Sequence, residues 1–215
     1  MRLGCERRSL LTLTQIVDTP YGRCAIVEVA EADLAEALAA LPASERIHAL
    51  QFSGFRRREF VAGRTAIHQL IAGDVAVLSD DRGAPLVPSG LTGSISHKGS
   101  RALAIVAPVE HGHVGVDLER AVAPRGDIGS RILSPREPVV TGKSLTRVFA
   151  IKEAIYKAVD PIVRRYVGFH EVEIIDAGAR VVDPRTLPVR LEFWCIEHEG
   201  YWVAAARANP LDLCA

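Results

Sequence analysis

Gly115-Val116-Asp117-Leu118-Glu119 and, further on, Phe149-Ala150-Ile151-Lys152-Glu153-Ala154-Ile155-Tyr156-Lys157 set three carboxylates and two ammonium groups on two short segments. Facing one another, such segments have the chemistry of a divalent cation holding a phosphate. Oxygen-only ligation suits Mg²⁺, which takes one or two protein carboxylates and completes its octahedron with waters and substrate phosphate. Singly, each segment has an ordinary reading. Carboxylates alternate with aliphatics on any half-exposed strand, and a Glu–Lys pair at four-residue spacing is usually a weak surface ion pair. Their combination, in this order, is what carries information.

The elements that must position these groups follow from periodicity. Val114, Val116 and Leu118 alternate with Gly115, Asp117 and Glu119, so a strand buries the aliphatic set and puts both carboxylates on its other face, roughly 6 to 7 Å apart. Residues 145–160 contain no Gly or Pro, and Val148, Ile151, Ile155 and Val159 recur at helical spacing. On that helix Glu153 and Lys157 share a face, whereas Lys152 is turned by about 100° from Glu153 and is free to serve another part of a ligand.

The whole-chain numbers exclude several classes. With 215 residues and 48% hydrophobic content, the chain has enough material for one large domain or two of about a hundred residues. Zero formal net charge gives no electrostatic case for nucleic acid or an anionic membrane. Any anion must therefore be met locally, and the candidates are the clustered Arg56, Arg57, Arg58 and Arg64, although such a run is most often a solvated helix face. Cys5, Cys24, Cys195 and Cys214 form no Cys-x-x-Cys pair, which argues against a zinc site and a disulfide framework and makes a reduced cytoplasm the simplest setting. Residues 1–8 carry charge without a following apolar run of signal-peptide length, and the longest apolar run, 102–109, is too short to span a bilayer. A soluble cytoplasmic protein is expected.

A faint internal repeat organises the chain. Phe60 to His68 aligns with Phe149 to Lys157, matching Arg64 to Glu153 and His68 to Lys157, and Ile95-Ser96-His97-Lys98-Gly99 aligns with Ile196-Glu197-His198-Glu199-Gly200. The fold class expected is α/β (α+β): two similar, pseudo-twofold-related subdomains, 1–110 and 111–215, each a helix packed on a small antiparallel sheet, with the site at their interface. Equivalent positions then carry opposite chemistry, giving one cleft a cationic wall at Arg64 and a metal-binding wall at Glu153. The remaining elements are a strand at 21–29, helices at 31–41, 44–50 and 55–71, a turn at 80–85 and a hairpin at 91–106. A long loop follows at 120–144, then strands over 172–206 broken at Asp183-Pro184 and Glu199-Gly200.

Gly-x-Asp-x-Glu on a strand, followed by Phe-x-x-Lys-Glu-Ala-x-x-Lys on a helix, resembles the signature of the 4′-phosphopantetheinyl transferases. Gly93-Ser94-Ile95-Ser96-His97 resembles the family's Ser-His segment, and 56–64 its basic helix start. Pro161, Arg165, Tyr166 and Phe169 resemble the stretch found in the larger Sfp-type members of siderophore and secondary-metabolite pathways. The likeness covers 56–172 well and the tail loosely. It implies transfer of 4′-phosphopantetheine from coenzyme A to a serine of an apo carrier protein, releasing adenosine 3′,5′-bisphosphate. It also implies a monomer, because the short transferases resemble a single half.

Carried over residue by residue, the resemblance makes Asp117, Glu119 and Glu153 the Mg²⁺ ligands, and Glu153 the base for the carrier serine. Lys157 then meets the phosphate being cleaved, and Lys152 lies along the diphosphate or the pantetheine arm. Arg56, Arg64, Arg82, Ser96 and His97 hold the 3′-phosphate end of coenzyme A, and the 120–144 loop meets the carrier. His198 is the ordinary hairpin histidine. Lys98, Ala150 and Arg82 depart from the family's usual residues, Lys98 by adding a charge beside the 3′-phosphate site. Two other classes stay open: a non-catalytic coenzyme A or carrier-protein binder, and a metal-dependent phosphodiesterase or nuclease.

Overall fold

The computed structural model describes residues 13–175 and 178–211. Cys5, Cys214 and the 1–8 segment discussed above lie outside the described residues. Among those described, no helix is long and apolar enough to cross a membrane, and Cys24 and Cys195 are free thiols.

The first half is built on a four-stranded antiparallel sheet in the order β1-β2-β4-β3, from β1 (Leu13–Thr19), β2 (Gly22–Glu28), β3 (Leu91–Lys98) and β4 (Arg101–Pro108). One face is covered by α1 (Leu34–Ala39), α2 (Ala43–Ala49) and α3 (Gly54–His68), with Val27, Val61, Ala66, Ile67 and Ala104 fully enclosed between them. The second half has a three-stranded sheet in the order β5-β9-β8, from β5 (His113–Arg120), β8 (Val189–His198) and β9 (Tyr201–Pro210). Its cover is α5 (Gly142–Val163), preceded by the single turn α4 (Gly129–Ile132) and followed by the β6 (Val172–Ile175) and β7 (Gly178–Val181) pair.

The connectivity of the two halves matches. In each, a strand (β2 or β5) leads through a long helix (α3 or α5) to a hairpin whose second strand pairs with the first strand. Both hairpins turn on a glycine with positive φ, Gly99 at 67° and Gly200 at 77°, a conformation that side chains resist. The uncovered sheet faces pack on each other through Ile26, Leu103, Ile105, Val116, Leu118 and Val203, giving helix, sheet, sheet, helix layers.

The α5 helix forms where the apolar spacing requires. Ile151, Ile155 and Val159 are each at most 1% exposed, and each such burial is worth roughly 1.5–3 kcal/mol. The helix continues one turn past the expected end, through Pro161, because a proline there forfeits a single intrahelical bond. It stops at Arg164, in the left-handed region at φ 47°, whose N–H donates to the Asp160 carbonyl at 2.8 Å.

Two expected elements are revised and one is added. The 31–41 helix opens as a 3₁₀ turn (Glu31–Asp33) before α1, and the 172–206 strands include the unforeseen β6–β7 pairing. The β1 strand, pairing Leu13 with Glu28 through Thr19 with Gly22, was not foreseen either.

Candidate active site

The site lies where β3 of one half runs beside β5 of the other. Each strand is hydrogen-bonded to a neighbour on one edge only, so each exposes an unpaired edge to the other. Side chains close the gap. The Thr92 hydroxyl accepts from the Val114 N–H at 3.3 Å, the Ser94 hydroxyl accepts from the Val116 N–H at 3.2 Å, and the Ser96 hydroxyl donates to Asp117 Oδ1 at 2.7 Å. Since strand side chains alternate, Thr92, Ser94, Ser96 and Lys98 share one face. Lys98 continues the row, its Nζ 2.5 Å from Glu119 Oε2.

On β5 the aliphatic residues 114, 116 and 118 fill the inter-sheet core, as their alternation requires, while Gly115, Asp117 and Glu119 face α5. Gly115 is there for space: a Cβ would overlap the Ala154 carbonyl oxygen and lie 2.5 Å from the Ala158 nitrogen. Its absence lets α5 press against β5 and brings Lys157 to Asp117. The Lys157 ammonium donates to Asp117 Oδ1 at 2.7 Å and to the Val116 carbonyl at 3.0 Å, which leaves one of its three protons for another acceptor.

Asp117 is 5% exposed, and its second oxygen, Oδ2, is buried without any partner. An orphaned carboxylate oxygen is costly to enclose, and a cation repays that cost. Among the described residues Glu153 has no hydrogen-bond or ion-pair partner; burial first, then the Asp117 charge, raises its pKa. Burial also raises Glu119, against the pull of Lys98. Two carboxylates with oxygens to offer therefore fit a hard divalent cation. Among the described residues no three acidic, His or Cys groups are gathered tightly enough to hold an ion, and Glu119 Oε2 lies 2.5 Å from the Lys98 ammonium.

Beside this cluster a cavity of about 400 Å³ is lined by Arg56, Arg64, Ser79, Phe60 and His97. Arg64 is 5% exposed, donates to the Ser79 hydroxyl at 2.8 Å and stacks 4.5 Å from the Phe60 ring, with a buried Nε–H lacking an acceptor. Desolvation lowers its pKa to about 10. His97 opens onto the same cavity. The protein around its ring, then the charges of Lys157, Arg64 and Arg56, push it down to about 4, so at neutral pH it is an uncharged imidazole among cations. A second cavity of about 570 Å³ adjoins Glu119 and Lys98, with Val122, Ile128 and Phe149 in its wall and Arg125 at its edge.

Three of the expected ligand residues have partners inside the protein. Ser96 cannot share the cavity with His97, since consecutive strand residues point to opposite faces; its hydroxyl holds Asp117 instead. Arg82 is committed to Asp160, its Nε at 2.8 and 2.9 Å from the two carboxylate oxygens, a fork-on-carboxylate clamp between the halves. Lys152 is 2% exposed, and its ammonium is enclosed by Glu137 Oε2 and the Ile132 carbonyl at 2.6 Å and the Phe169 carbonyl at 3.0 Å. It lines neither of the two cavities above. Arg57 and Arg58 are likewise engaged, Arg57 on the Phe52 carbonyl and Arg58 on Glu31.

Sequence reasoning missed Glu137, which also accepts from the Ser134 and Ile174 N–H groups and so fastens the 120–144 loop to α5 and β6. Nothing periodic surrounds it, and its only signal was an acid in a loop opposite an unpaired helix lysine. His198, whose Nε2 lies 2.8 Å from Gln15 Oε1, is far in role from this site.

Two packed sheets whose neighbouring edges carry a cation-ready carboxylate and a lysine beside a basic cavity are the layout of a two-half phosphoryl-group transferase. Residues 49–107 match the family described as 4'-phosphopantetheinyl transferase N-terminal domain, and residues 113–206 match the 4'-phosphopantetheinyl transferase superfamily. The chain is 37% identical over 150 residues to the 4'-phosphopantetheinyl transferase Npt of Nocardia iowensis, covering 65% of this chain and 67% of that protein. It is 32% identical over 145 residues to enterobactin synthase component D of Salmonella typhi, covering 62% and 60%, and 31% identical over 132 residues to the 4'-phosphopantetheinyl transferase PptT of Mycobacterium tuberculosis, covering 55% and 58%. The chain belongs to the 4′-phosphopantetheinyl transferase superfamily, and its matches span about three fifths to two thirds of the length of these relatives.

Proposed function

We propose that this protein transfers 4′-phosphopantetheine from coenzyme A to a serine hydroxyl of an apo carrier protein, with Mg²⁺, releasing adenosine 3′,5′-bisphosphate. The observation that carries the reading is the bare, buried Oδ2 of Asp117, whose Oδ1 is held by Ser96 and Lys157, beside Glu153, which has no partner among the described residues. Asp117 and Glu153, with Glu119 next to them, would hold the cation, which when bound offsets charge on the diphosphate of coenzyme A.

The other roles fall to the chain's own groups. Arg56, Arg64 and the neutral His97 bind the 3′-phosphate in the 400 Å³ cavity, the buried Arg64 Nε–H supplying a ready donor. The free Lys157 proton meets the phosphate under attack and steadies the departing bisphosphate. Glu153, its pKa raised by burial and by Asp117, takes the proton of the serine hydroxyl. The apolar wall of the 570 Å³ cavity takes the pantetheine arm, and the 120–144 loop meets the carrier. The reading includes a monomer, since both walls of the cleft come from one chain, and a reduced cytoplasm, which the scattered cysteines favour.

The deciding experiment is intact-protein mass spectrometry of apo peptidyl, polyketide and acyl carrier proteins incubated with this chain, coenzyme A and Mg²⁺. One added phosphopantetheine, absent with Glu153→Gln, is the expected result. No addition to any carrier, with coenzyme A still bound, would turn the reading to a non-catalytic coenzyme A binder.

A further inference from the structure

The alternation of β3 places one residue at the site that neither the cation nor the phosphate accounts for. Thr92, Ser94 and Ser96 engage Val114, Val116 and Asp117 in order, and the next residue on that face, Lys98, reaches Glu119 at 2.5 Å. The Lys98 side chain is 40% exposed and that of Glu119 only 14%, so the ammonium closes over the carboxylate from the solvent side. The three acids thus stand in three states. Asp117 has one oxygen held by Ser96 and Lys157 and one bare, Glu153 has no partner among the described residues, and Glu119 has a cation already.

We propose that Lys98 is a resident counter-ion of Glu119 that withholds this third carboxylate, so that a divalent cation is held by Asp117 and Glu153 and depends for its remaining ligands on the diphosphate. This inference rests on the proposed function and adds to it a residue that sets how the cation is acquired. The physical reason is twofold. Glu119 can ligate only by releasing an ammonium at contact distance, and that ammonium repels a divalent ion at the same place. A hard ion with two protein carboxylates accepts substrate phosphate oxygens readily, so loading is coupled to coenzyme A rather than preceding it. The ordinary alternative, a surface ion pair of no consequence, predicts that Lys98 is silent in cation binding.

The test reads Mn²⁺ affinity, from the electron paramagnetic resonance signal of the free ion, on the whole chain with and without saturating coenzyme A. Lys98→Met is expected to tighten Mn²⁺ binding without coenzyme A by about tenfold, the scale on which groups around metal ligands act. Lys98→Gln, also uncharged, should reproduce it, guarding against a packing effect of either side chain. Glu119→Gln should weaken Mn²⁺ by less than about threefold in the parent chain, yet by about tenfold in the Lys98→Met background, since only there is the carboxylate released. Tightening below about threefold in both Lys98 variants, or a loss of tenfold or more from Glu119→Gln alone, would overturn the proposal while leaving the transferase reading standing. A parent chain that binds neither Mn²⁺ nor coenzyme A would overturn both.

Discussion

His97 and Lys152 show how much a residue's environment decides its chemistry. His97 is held well below the usual imidazole range, and the sign of its effect on stability follows. Between about pH 6.5 and 4 the unfolded chain binds a proton that the folded chain refuses, so stability is full above that window and falls as the pH is lowered through it. Urea midpoints at pH 7 and pH 5 should therefore differ less in His97→Gln than in the parent chain. A ligand phosphate should act oppositely, so the His97 resonances should titrate at higher pH with adenosine 3′,5′-bisphosphate bound. Lys152 makes a different case: desolvation lowers its pKa, and Glu137 opposes the shift, within a pair whose side chains are each 1% exposed. Lys152→Met strands the Glu137 charge and should cost about 3–5 kcal/mol in chemical denaturation, whereas Lys152→Met with Glu137→Leu should recover much of it. An equal loss in the double variant would count against the pair as a buried strut.

At the scale of elements, the fit of α5 on β5 depends on one missing methyl group. Gly115→Ala pushes the helix away from the strand that carries Asp117, and should cost about 1–3 kcal/mol or more, lowering the melting temperature by several degrees. A melting temperature unchanged within a degree would mean that the helix shifts freely. The α5 helix and the β5 strand were legible in the sequence because their apolar residues repeat at 3.6 and 2, and burial of those residues is what forms them. The direction of Lys152 was not. Helical spacing placed it on a different face from Glu153, but what waits on that face comes from a loop with no period. Ser96 was grouped with His97 for a simpler cause: their segment was taken as a motif, and strand alternation, which separates neighbours, was not applied to it. The β1 strand lacked an enclosed face to advertise it, with Thr14, Ile16 and Asp18 exposed along it.

At the scale of the molecule, the halves are joined by side chains rather than by a backbone ladder. The turn at Asp80 to Gly83 bears two arginine–carboxylate links to the end of α5, Arg82 to Asp160 and Arg164 to Asp81, the second at 2.6 Å. Arg82→Met should speed amide hydrogen exchange in residues 79–85 and in the last turn of α5 while leaving β8 unchanged; uniform speeding throughout would point to global destabilisation instead. The aligned segments around Phe60 and Phe149 were legible in the sequence, and each lies on a long helix, α3 or α5. The clamp was not, because its partners are 78 residues apart in sequence and each looks like an ordinary surface charge.

The hydroxyl of Ser96 belongs to one half and the carboxylate it steadies to the other. Asp117 is thus in its working position only while the two halves are docked, which makes catalytic competence a coincidence signal. A chain whose second half has folded while its first has not presents an acid without its orienting donor and lacks the Arg64 cavity altogether. On the proposed function, such an intermediate does not consume coenzyme A before folding is complete.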